Sequence, residues 1–393
     1  MFKHMLTLIW NKKKKNSLLF VEIFFCFLIV FAISTFAIRN FRDYLSPYGY
    51  ETENLWHTNL YRALEDIDST AMIQTRETLK RELESIDGVE AVAFGGMSVP
   101  FSGSMWSNGS DDMGFDLWTT TLRGDADYNE VFDIELSEGR WYTPEDTLGK
   151  YHPIVISQQL VDEYWPGESR LDSIFILSEQ EWRITGVMKH FRYRDGFEGE
   201  MPVVVFYGEE DHHEDMHELY IRVASSEAGA LEERVVNRIG QVLKTEDIVI
   251  NDLEENRKRI ALQTWILIVI FLTIGGFLVF NIALGLFGVL FYTISKRRPE
   301  IGIRRAMGAT GGQISKQLTL EVYLVAVAAM LLAAVFAVQV PLLGLMGDGL
   351  VPKDAYMGML SAFVLISIVV LICAYAPSRS AARLHPAEVL HEN

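Results

Sequence analysis

Long apolar runs lie near both ends of the chain, and a long mixed stretch of polar and apolar residues separates them. The first run, 17–38, holds one charged residue, Glu22, and is close to the ~20 residues that a membrane-spanning helix needs. Three later runs hold no charged residue apart from Glu321, and they cover 261–294, 318–346 and 357–377. The pattern predicts four transmembrane helices.

The second of these helices has an unusual length. Sequence without Gly or Pro continues upstream of the apolar run 261–294 to about residue 252. A continuous helix from 252 to 294 would measure roughly 64 Å, about twice the thickness of the hydrocarbon layer. We interpret this segment as a transmembrane helix preceded by a rigid stalk, and an ordinary span with a tilted end is the alternative.

The mixed stretch, 39–260, predicts an α+β domain. A helical pattern near 67–86 precedes the strand "VEAVAFGG", and the strand "ELYIRV" precedes a helical pattern at 227–243. We interpret these as two ferredoxin-like halves of porter type. Between them, at about 105–207, the strands "FDLWTTTLRG", "HPIVIS", "EWRITGVMKHF" and "MPVVVFY" predict an inserted, mainly-β subdomain.

Charge is divided unevenly along the chain. Residues 40–260 hold 45 of the 52 acidic residues but 20 of the 35 basic ones. Such an acidic domain excludes nucleic acid as a partner, because phosphate binding needs Lys and Arg at the surface.

Basic residues outside this domain gather where the positive-inside rule places cytoplasmic segments. They lie before the first helix, between the second and third helices, and after the fourth. The rule predicts cytoplasmic positions for the N-terminus (1–16), the loop 295–317 and the tail 378–393. The domain 39–260 and the short loop 347–356 are then extracytoplasmic, in a multi-pass protein of the inner (cytoplasmic) membrane.

One pattern suggests an enzyme. His213, Glu214 and His217 match H-E-x-x-H, which on a helix binds zinc and supplies the general base of a metalloprotease. The flanking sequences alternate like strands, so the helical geometry is missing. We therefore reject the zinc site, predict no metal in this chain, and interpret the segment as an acidic loop.

Two carboxylates lie inside predicted spans. Glu22 and Glu321 each occur about one turn from the cytoplasmic end of their helix. Intramembrane carboxylates are functional candidates by default. We predict a role for both in helix packing or coupling.

The loop 295–317 predicts a short basic helix. Pro299 suits a helix start, Glu300 suits the positive end of the helix dipole, and Gly308 suits the end of the helix. Such a helix would lie at the membrane surface. It would either contact anionic headgroups only or dock a cytoplasmic partner.

These residues carry a family resemblance. "RPEIGIRRAMGA" (298–309) resembles the signature after the second span of MacB/FtsX-type ABC transporter permeases, and "PSRSAARLHPAEVL" (377–390) is similar to the closing segment of that family. "LRGDADYNEVFDIELSEGRWYTPED" and "WRITGVMKHFRYRD" resemble stretches of the MacB-like periplasmic core domain. The resemblance covers nearly the whole chain.

The resemblance implies a permease that is not itself an enzyme. ATP and Mg would be bound by a separate cytoplasmic ABC ATPase, and this chain would bind no cofactor; its sequence holds no G-x-x-x-x-G-K-[ST] phosphate loop. The implied ATPase-coupling residues are Arg298, Glu300, Ile301, Gly302, Ile303, Arg304, Arg305, Met307 and Gly308.

Through mechanotransmission, the stalks would pass ATP-driven motion to the extracytoplasmic domains. The family also implies a homodimer or a pair with a sibling permease, together with a periplasmic adaptor or substrate protein. Export or extraction of a substrate from the periplasmic side is the leading expectation. A permease that releases lipoproteins or regulates cell-wall hydrolases is the alternative within the family.

Overall fold

The computed structural model describes residues 13–65, 67–101, 107–110, 115–177, 180–194, 201–208, 216–225, 229–344 and 351–382. The chain divides into two compact units. The membrane unit is formed by residues 1–42 and 265–393, and the outer unit by residues 43–264.

The described helices, in chain order, are α1 (Lys13–Leu45), α2 (Tyr61–Leu64), α3 (Ser69–Glu84), α4 (Tyr128–Phe132), α5 (Gln158–Tyr164), α6 (Gly229–Leu243), α7 (Leu253–Lys296), α8 (Arg298–Ala306), α9 (Gly311–Ala337), α10 (Gln339–Leu342) and α11 (Pro352–Ala382). A 3-10 helix covers Pro144–Leu148.

The described strands are β1 (Leu55–Asn59), β2 (Val89–Gly96), β3 (Ser107–Ser110), β4 (Phe115–Gly124), β5 (Leu136–Gly139), β6 (His152–Ser157), β7 (Ile174–Leu177), β8 (Gln180–Met188), β9 (Val203–Tyr207), β10 (Glu218–Val223) and β11 (Asn251–Asp252).

Among the described residues, four helices are long and apolar enough to cross a membrane: α1, α7, α9 with its short continuation α10, and α11. Together with the α+β outer unit, they confirm the predicted fold class. Each helix extends beyond its apolar run on at least one side. The helix α7 runs without interruption for 44 residues, about 66 Å at 1.5 Å per residue.

The core of the membrane unit is built from one stripe of each helix. In α1 the buried side chains recur at helical spacing, from Leu19 through Ile23 and Phe27 to Val30. In α9 the small residues Ala326, Ala329, Ala333 and Ala337 are almost fully buried, and they permit the close approach of α9 to α11.

The outer unit is built on one sheet. Among its described residues, the strand order is β11-β1-β10-β2-β4-β9-β6-β8-β5, with β3 paired to β4 and β7 paired to β8. The strands β4 to β9, from the predicted insertion, continue the sheet formed by β1, β2 and β10. The junction is short, because β2 and β4 pair only at Gly95–Gly124 and Gly96–Arg123.

Successive side chains of the β1–β10–β2 region serve two cores, as the period of a strand requires. On one face Val92, Phe94 and Ile221 pack with the helices α3 and α6. On the other face Ala93 and Tyr220 pack into an aromatic cluster that includes Tyr50, Tyr128, Phe132, Tyr142 and Tyr193. Both faces of this part of the sheet are therefore covered.

The outer unit also buries a charged cluster. Asp125 is 2% exposed and accepts hydrogen bonds from Lys80 Nζ at 2.9 Å and from the backbone N–H of Phe94 at 2.9 Å. Lys80 also pairs with Asp127. Burial raises the pKa of the Asp125 carboxyl to about 6, although the charge of Lys80 opposes this shift. Burial acts to lower the pKa of Lys80, but the two carboxylates outweigh it and that pKa is raised.

The strand β1 was not predicted from the sequence. It pairs with β10 over five residues, from Leu55–Arg222 to Asn59–Glu218.

Candidate functional site

The helix α8 in the loop between α7 and α9 carries most of the predicted coupling residues. Its inner face is anchored by Ile301, which is 4% exposed and packs with Ile294, Ile314 and Leu318. Ile294 belongs to α7 and the other two belong to α9, so both neighbouring helices hold α8. Gly302 is buried beside Ile301.

The outer face of α8 is apolar and uncovered by the described residues of the chain. Ile303 is 52% exposed and Met307, just past the last helical residue, is 76% exposed. Between them Arg304 Nη2 donates to Glu300 Oε1 at 2.6 Å, a pairing one turn apart. The buried and the exposed apolar residues of α8 therefore lie on different faces.

The end of α8 is fixed by its glycine. Gly308 has φ of +98°, in the left-handed region that glycine adopts most easily. The N–H of Ala309 donates to the carbonyl of Arg304 at 3.0 Å, as in a Schellman ending. Thr310 and Gln313 then cap the start of α9 reciprocally. The chain therefore reverses within a few residues, and α8 stays close to both neighbours.

An ion pair joins the start of this loop to α9. Arg297 Nη1 donates to Glu321 Oε2 at 2.8 Å, and the two side chains are only 14% and 17% exposed. Arg304 Nη1 also donates to Gln317 Oε1 of α9 at 3.1 Å. Glu321, predicted from its intramembrane position, is therefore positioned to hold the start of the loop 295–317 against α9.

Glu22 lies elsewhere in the membrane unit, at the contact between α1 and α7. A Cβ atom on Gly285 of α7 would lie 2.6 Å from Glu22 Oε1. A side chain at position 285 would therefore require the Glu22 carboxylate to shift. The structure thus brings Glu321 to the loop between α7 and α9 and places Glu22 at a helix contact.

Some predicted residues lie beyond what the structure describes. Only the backbone of α8 is described at Arg298 and Arg305. Of the H-E-x-x-H pattern, His213 and Glu214 are outside the described residues, whereas His217 directly precedes β10. His217 Nε2 lies 3.4 Å from Glu218 Oε1. The rejection of a zinc site stays a prediction; within the described part of the chain, no cluster of three or more His, Cys, Asp or Glu could hold a metal ion.

The sequence interpretation missed the partners that anchor α8. Arg297 was counted only as a basic residue of the loop, and Ile314 and Leu318 were assigned to no role. The sequence held one signal for this packing. Ile301 lies before the predicted helix end at Gly308, and Ile314 and Leu318 lie after it, so a reversal of the chain there would bring these apolar residues together. The pairing of Arg297 with Glu321 depends on the reversal of the chain between them.

Comparison with known proteins assigns the family. A model of the MacB-like periplasmic core domain matches residues 23–238, and a model of the FtsX-like permease C-terminal region matches residues 265–386. The first match alone covers more than half of the chain.

Individual relatives are distant. The macrolide export ATP-binding/permease protein MacB of Sodalis glossinidius is 24% identical over 273 residues, which are 67% of this chain and 42% of that protein. A protein of the same description from Yersinia pestis is 29% identical over 150 residues, 37% of this chain and 21% of that protein. The chain thus spans less than half the length of these relatives.

The solved periplasmic region of MacB from Actinobacillus actinomycetemcomitans aligns with 56% of this chain and 97% of its own, at 12% identity and a TM-score of 0.35. The family assignment rests on the two family models, whose matches fall on the outer unit with α1 and on the remaining membrane helices. The chain is a membrane protein that belongs to the MacB/FtsX-type family of ABC transporter permeases.

Proposed function

We propose that this chain is the permease subunit of an ABC transporter in the cytoplasmic membrane. An ATPase on a partner chain, with bound ATP and Mg, supplies the energy, and the outer unit responds on the other side of the membrane. The distribution of basic residues supports a cytoplasmic location for the loop 295–317 and both chain ends, and an extracytoplasmic location for 39–260.

The observation that carries this proposal is the two-faced helix α8. Ile301 is buried against α7 and α9, while Ile303 and Met307 are exposed. A partner that pushes on the exposed face would move both membrane helices, because the anchor and the Arg297–Glu321 pair connect them to α8. A helix that contacted only headgroups would not require this anchoring.

The base of α7 supports a role as a stalk. Leu253 is fully buried in the aromatic core of the outer unit. Glu254 Oε2 accepts a hydrogen bond from Thr52 Oγ1 at 2.6 Å, and the Arg257 guanidinium lies 5.1 Å from the centroid of the Tyr48 ring. Since the same helix continues to Lys296, displacement of its membrane portion would be transmitted to this core.

The proposed assembly contains two permease chains, either a homodimer or a pair with a sibling. Relatives described as macrolide export proteins favour export or extraction from the periplasmic side, with an adaptor or substrate protein as the extracytoplasmic partner. The macrolide export described for these relatives favours this over the release of lipoproteins or the regulation of cell-wall hydrolases.

Co-purification tests the proposal. The full chain carrying Ile303→Asp and Met307→Asp is isolated from native membranes, and the ABC ATPase recovered with it is quantified. Two apolar contacts of about 1–2 kcal/mol each predict at least a tenfold loss of the ATPase. The matched control is Leu148→Asp with Ile174→Asp, which changes two exposed apolar residues of the outer unit. Equal recovery from both variants would reject docking at α8.

A further inference from the structure

A groove lies between α9 and α11 on the face that the proposed ATPase contact does not use. Its volume is about 670 Å³, and its walls come from the first three turns of α9 and the last three of α11. No residue of α8 lines it. The proposed contact between α8 and an ATPase therefore does not explain the groove.

The polar end of the groove is positively charged. Lys316 and Arg379 line it together with Ser315. Among the described residues, neither cation has a carboxylate oxygen within 4 Å, unlike Arg297 and Arg304 nearby. Arg379 Nη1 donates to Tyr375 Oη at 3.2 Å, which leaves its other N–H groups for a ligand.

The start of α9 adds backbone donors. Gly312 lies in the first turn, where N–H groups have no partner within the helix, and the Thr310 cap satisfies the N–H of Gln313 instead. A Cβ atom on Gly312 would meet nothing within 4 Å, so the backbone is open to approach. Together with the two cations, this end of the groove matches the chemistry of a phosphate group.

The other end of the groove is apolar. Leu320 and Leu371 line it within the segments that are apolar enough to cross a membrane. Leu371 precedes Arg379 by two helical turns, about 12 Å along the axis. The two walls are connected by the hydroxyl pairs Thr319–Ser378, at 3.3 Å, and Tyr323–Ser367, at 3.5 Å. The groove therefore changes from cationic to apolar along the direction of the helices.

We propose that this groove binds one anionic phospholipid. The phosphate would lie against Lys316, Arg379 and the first turn of α9, and an acyl chain would run along Leu320 and Leu371. The gradient selects a lipid over a soluble phosphate compound, because a headgroup alone would leave the apolar half unfilled. The proposal does not depend on the proposed ATPase contact.

Native mass spectrometry of the full chain in detergent tests this proposal. The protein is titrated with phosphatidylglycerol and with phosphatidylcholine of the same acyl chains. The wild type is expected to bind the anionic lipid at least tenfold more tightly. Lys316→Gln with Arg379→Gln is expected to abolish that preference, at about fivefold per cation. The matched control Lys353→Gln, at the opposite end of α11, is expected to retain it.

A second variant separates a lipid from a simple anion. Leu320→Trp keeps both cations but fills the apolar half of the groove, so it is expected to weaken binding of phosphatidylglycerol at least fivefold. If the variant Lys316→Gln with Arg379→Gln does not fold, Leu320→Trp alone still tests whether the groove binds the lipid. Equal binding of the two lipids by the wild type, or a preference that survives loss of both cations, would overturn the proposal. Displacement of the lipid by glycerol phosphate with no effect of Leu320→Trp would show an anion site without a lipid.

Discussion

The outer unit and the membrane unit differ in which side chains they bury and which they expose. The outer unit encloses charges and pairs them, as at Asp125, which is 2% exposed beside Lys80. In the membrane unit large apolar side chains are exposed instead, such as Phe277 at 66% and Phe280 at 59% on α7. The surroundings explain the difference. Lipid does not penalise an exposed Phe, whereas a charge that is removed from water on folding needs a partner to compensate the lost hydration.

The comparison also separates the ionic pairs by their setting. In the outer unit the side chain of Asp125 is 3% exposed and that of its partner Lys80 is 17% exposed, whereas both members of the Arg297–Glu321 pair, at the end of a membrane helix, are partly exposed, at 14% and 17%. The first pair compensates the burial of its own charges. The second connects a loop to a helix, so its loss should affect a local contact more than the whole fold.

The largest expected effect follows from removing the cation of the outer cluster. Lys80→Met leaves the Asp125 carboxylate buried without its main partner, and we expect a loss of about 3–5 kcal/mol in the free energy of unfolding. Urea unfolding of the detergent-solubilised chain, followed by tryptophan fluorescence, measures it. In the control Lys150→Met, the lost partner is Glu181 at the surface, and the unfolding midpoint should not change. Equal effects of the two substitutions would contradict the comparison.

The dependence of stability on pH tests the burial of Asp125 in a second way. The folded protein holds the Asp125 proton up to about pH 6, whereas an unfolded chain releases it near 3.9. The free energy of unfolding should therefore fall through this group as the pH rises from about 4 to about 6. Since Asp125→Asn lacks the titration, its stability relative to the wild type should rise by about 2 kcal/mol across this window. Urea titrations at several pH values measure the difference; parallel curves for the two proteins would contradict it.

A smaller effect is expected at the loop between α7 and α9. Glu321→Gln removes the charged partner of Arg297, and we expect a loss of about 1–2 kcal/mol in the stability of the contact between the loop and α9. Hydrogen exchange of the loop amides measures it, with the change confined to residues 297–321. The control Glu300→Gln breaks only the exposed pair with Arg304, worth about 0.3–0.5 kcal/mol. Increased exchange throughout the outer unit would show that the pair has a wider role.

The smallest effect is expected on the exposed face of α7. Phe277→Ala removes a side chain that is 66% exposed, so the stability of the isolated chain should change by less than about 0.5 kcal/mol. Leu286→Ala on the same helix, fully buried in the structure, should cost about 2–3 kcal/mol. Thermal unfolding in detergent, followed by circular dichroism, compares the two. Similar losses would mean that Phe277 packs within the single chain.

The parts of the fold that were predicted from the sequence depend on local patterns. Uncharged runs indicate the four long helices because the bilayer imposes a length and a polarity on each. The quoted segments for β4, β6 and β10 coincide with the observed strands, since alternating apolar residues are a property of the segment itself. Gly308 was predicted as a helix end because glycine favours the left-handed backbone found there.

The missed features depend on contacts that are distant in sequence. The strand β1, "LWHTN", holds three polar residues in five and becomes a strand through its pairing with β10. Two of its polar residues have partners there: His57 Nε2 lies 2.6 Å from Glu218 Oε2, and Asn59 Nδ2 donates to Glu218 Oε1. The Arg297–Glu321 pair likewise depends on the reversal of the chain that brings α9 back beside the end of α7. The spacing of polar and apolar residues within a single segment does not reveal such pairings.

Photo-crosslinking from α8 tests the central claim, ATPase docking on its exposed face, most directly. A photoreactive residue is placed at position 303, 307 or 301 of the full chain in native membranes, and the crosslinked products are identified by mass spectrometry. The account predicts products with an ABC ATPase from positions 303 and 307, and internal products from position 301, which is buried against Ile314 and Leu318. Lipid adducts alone from positions 303 and 307 would contradict it.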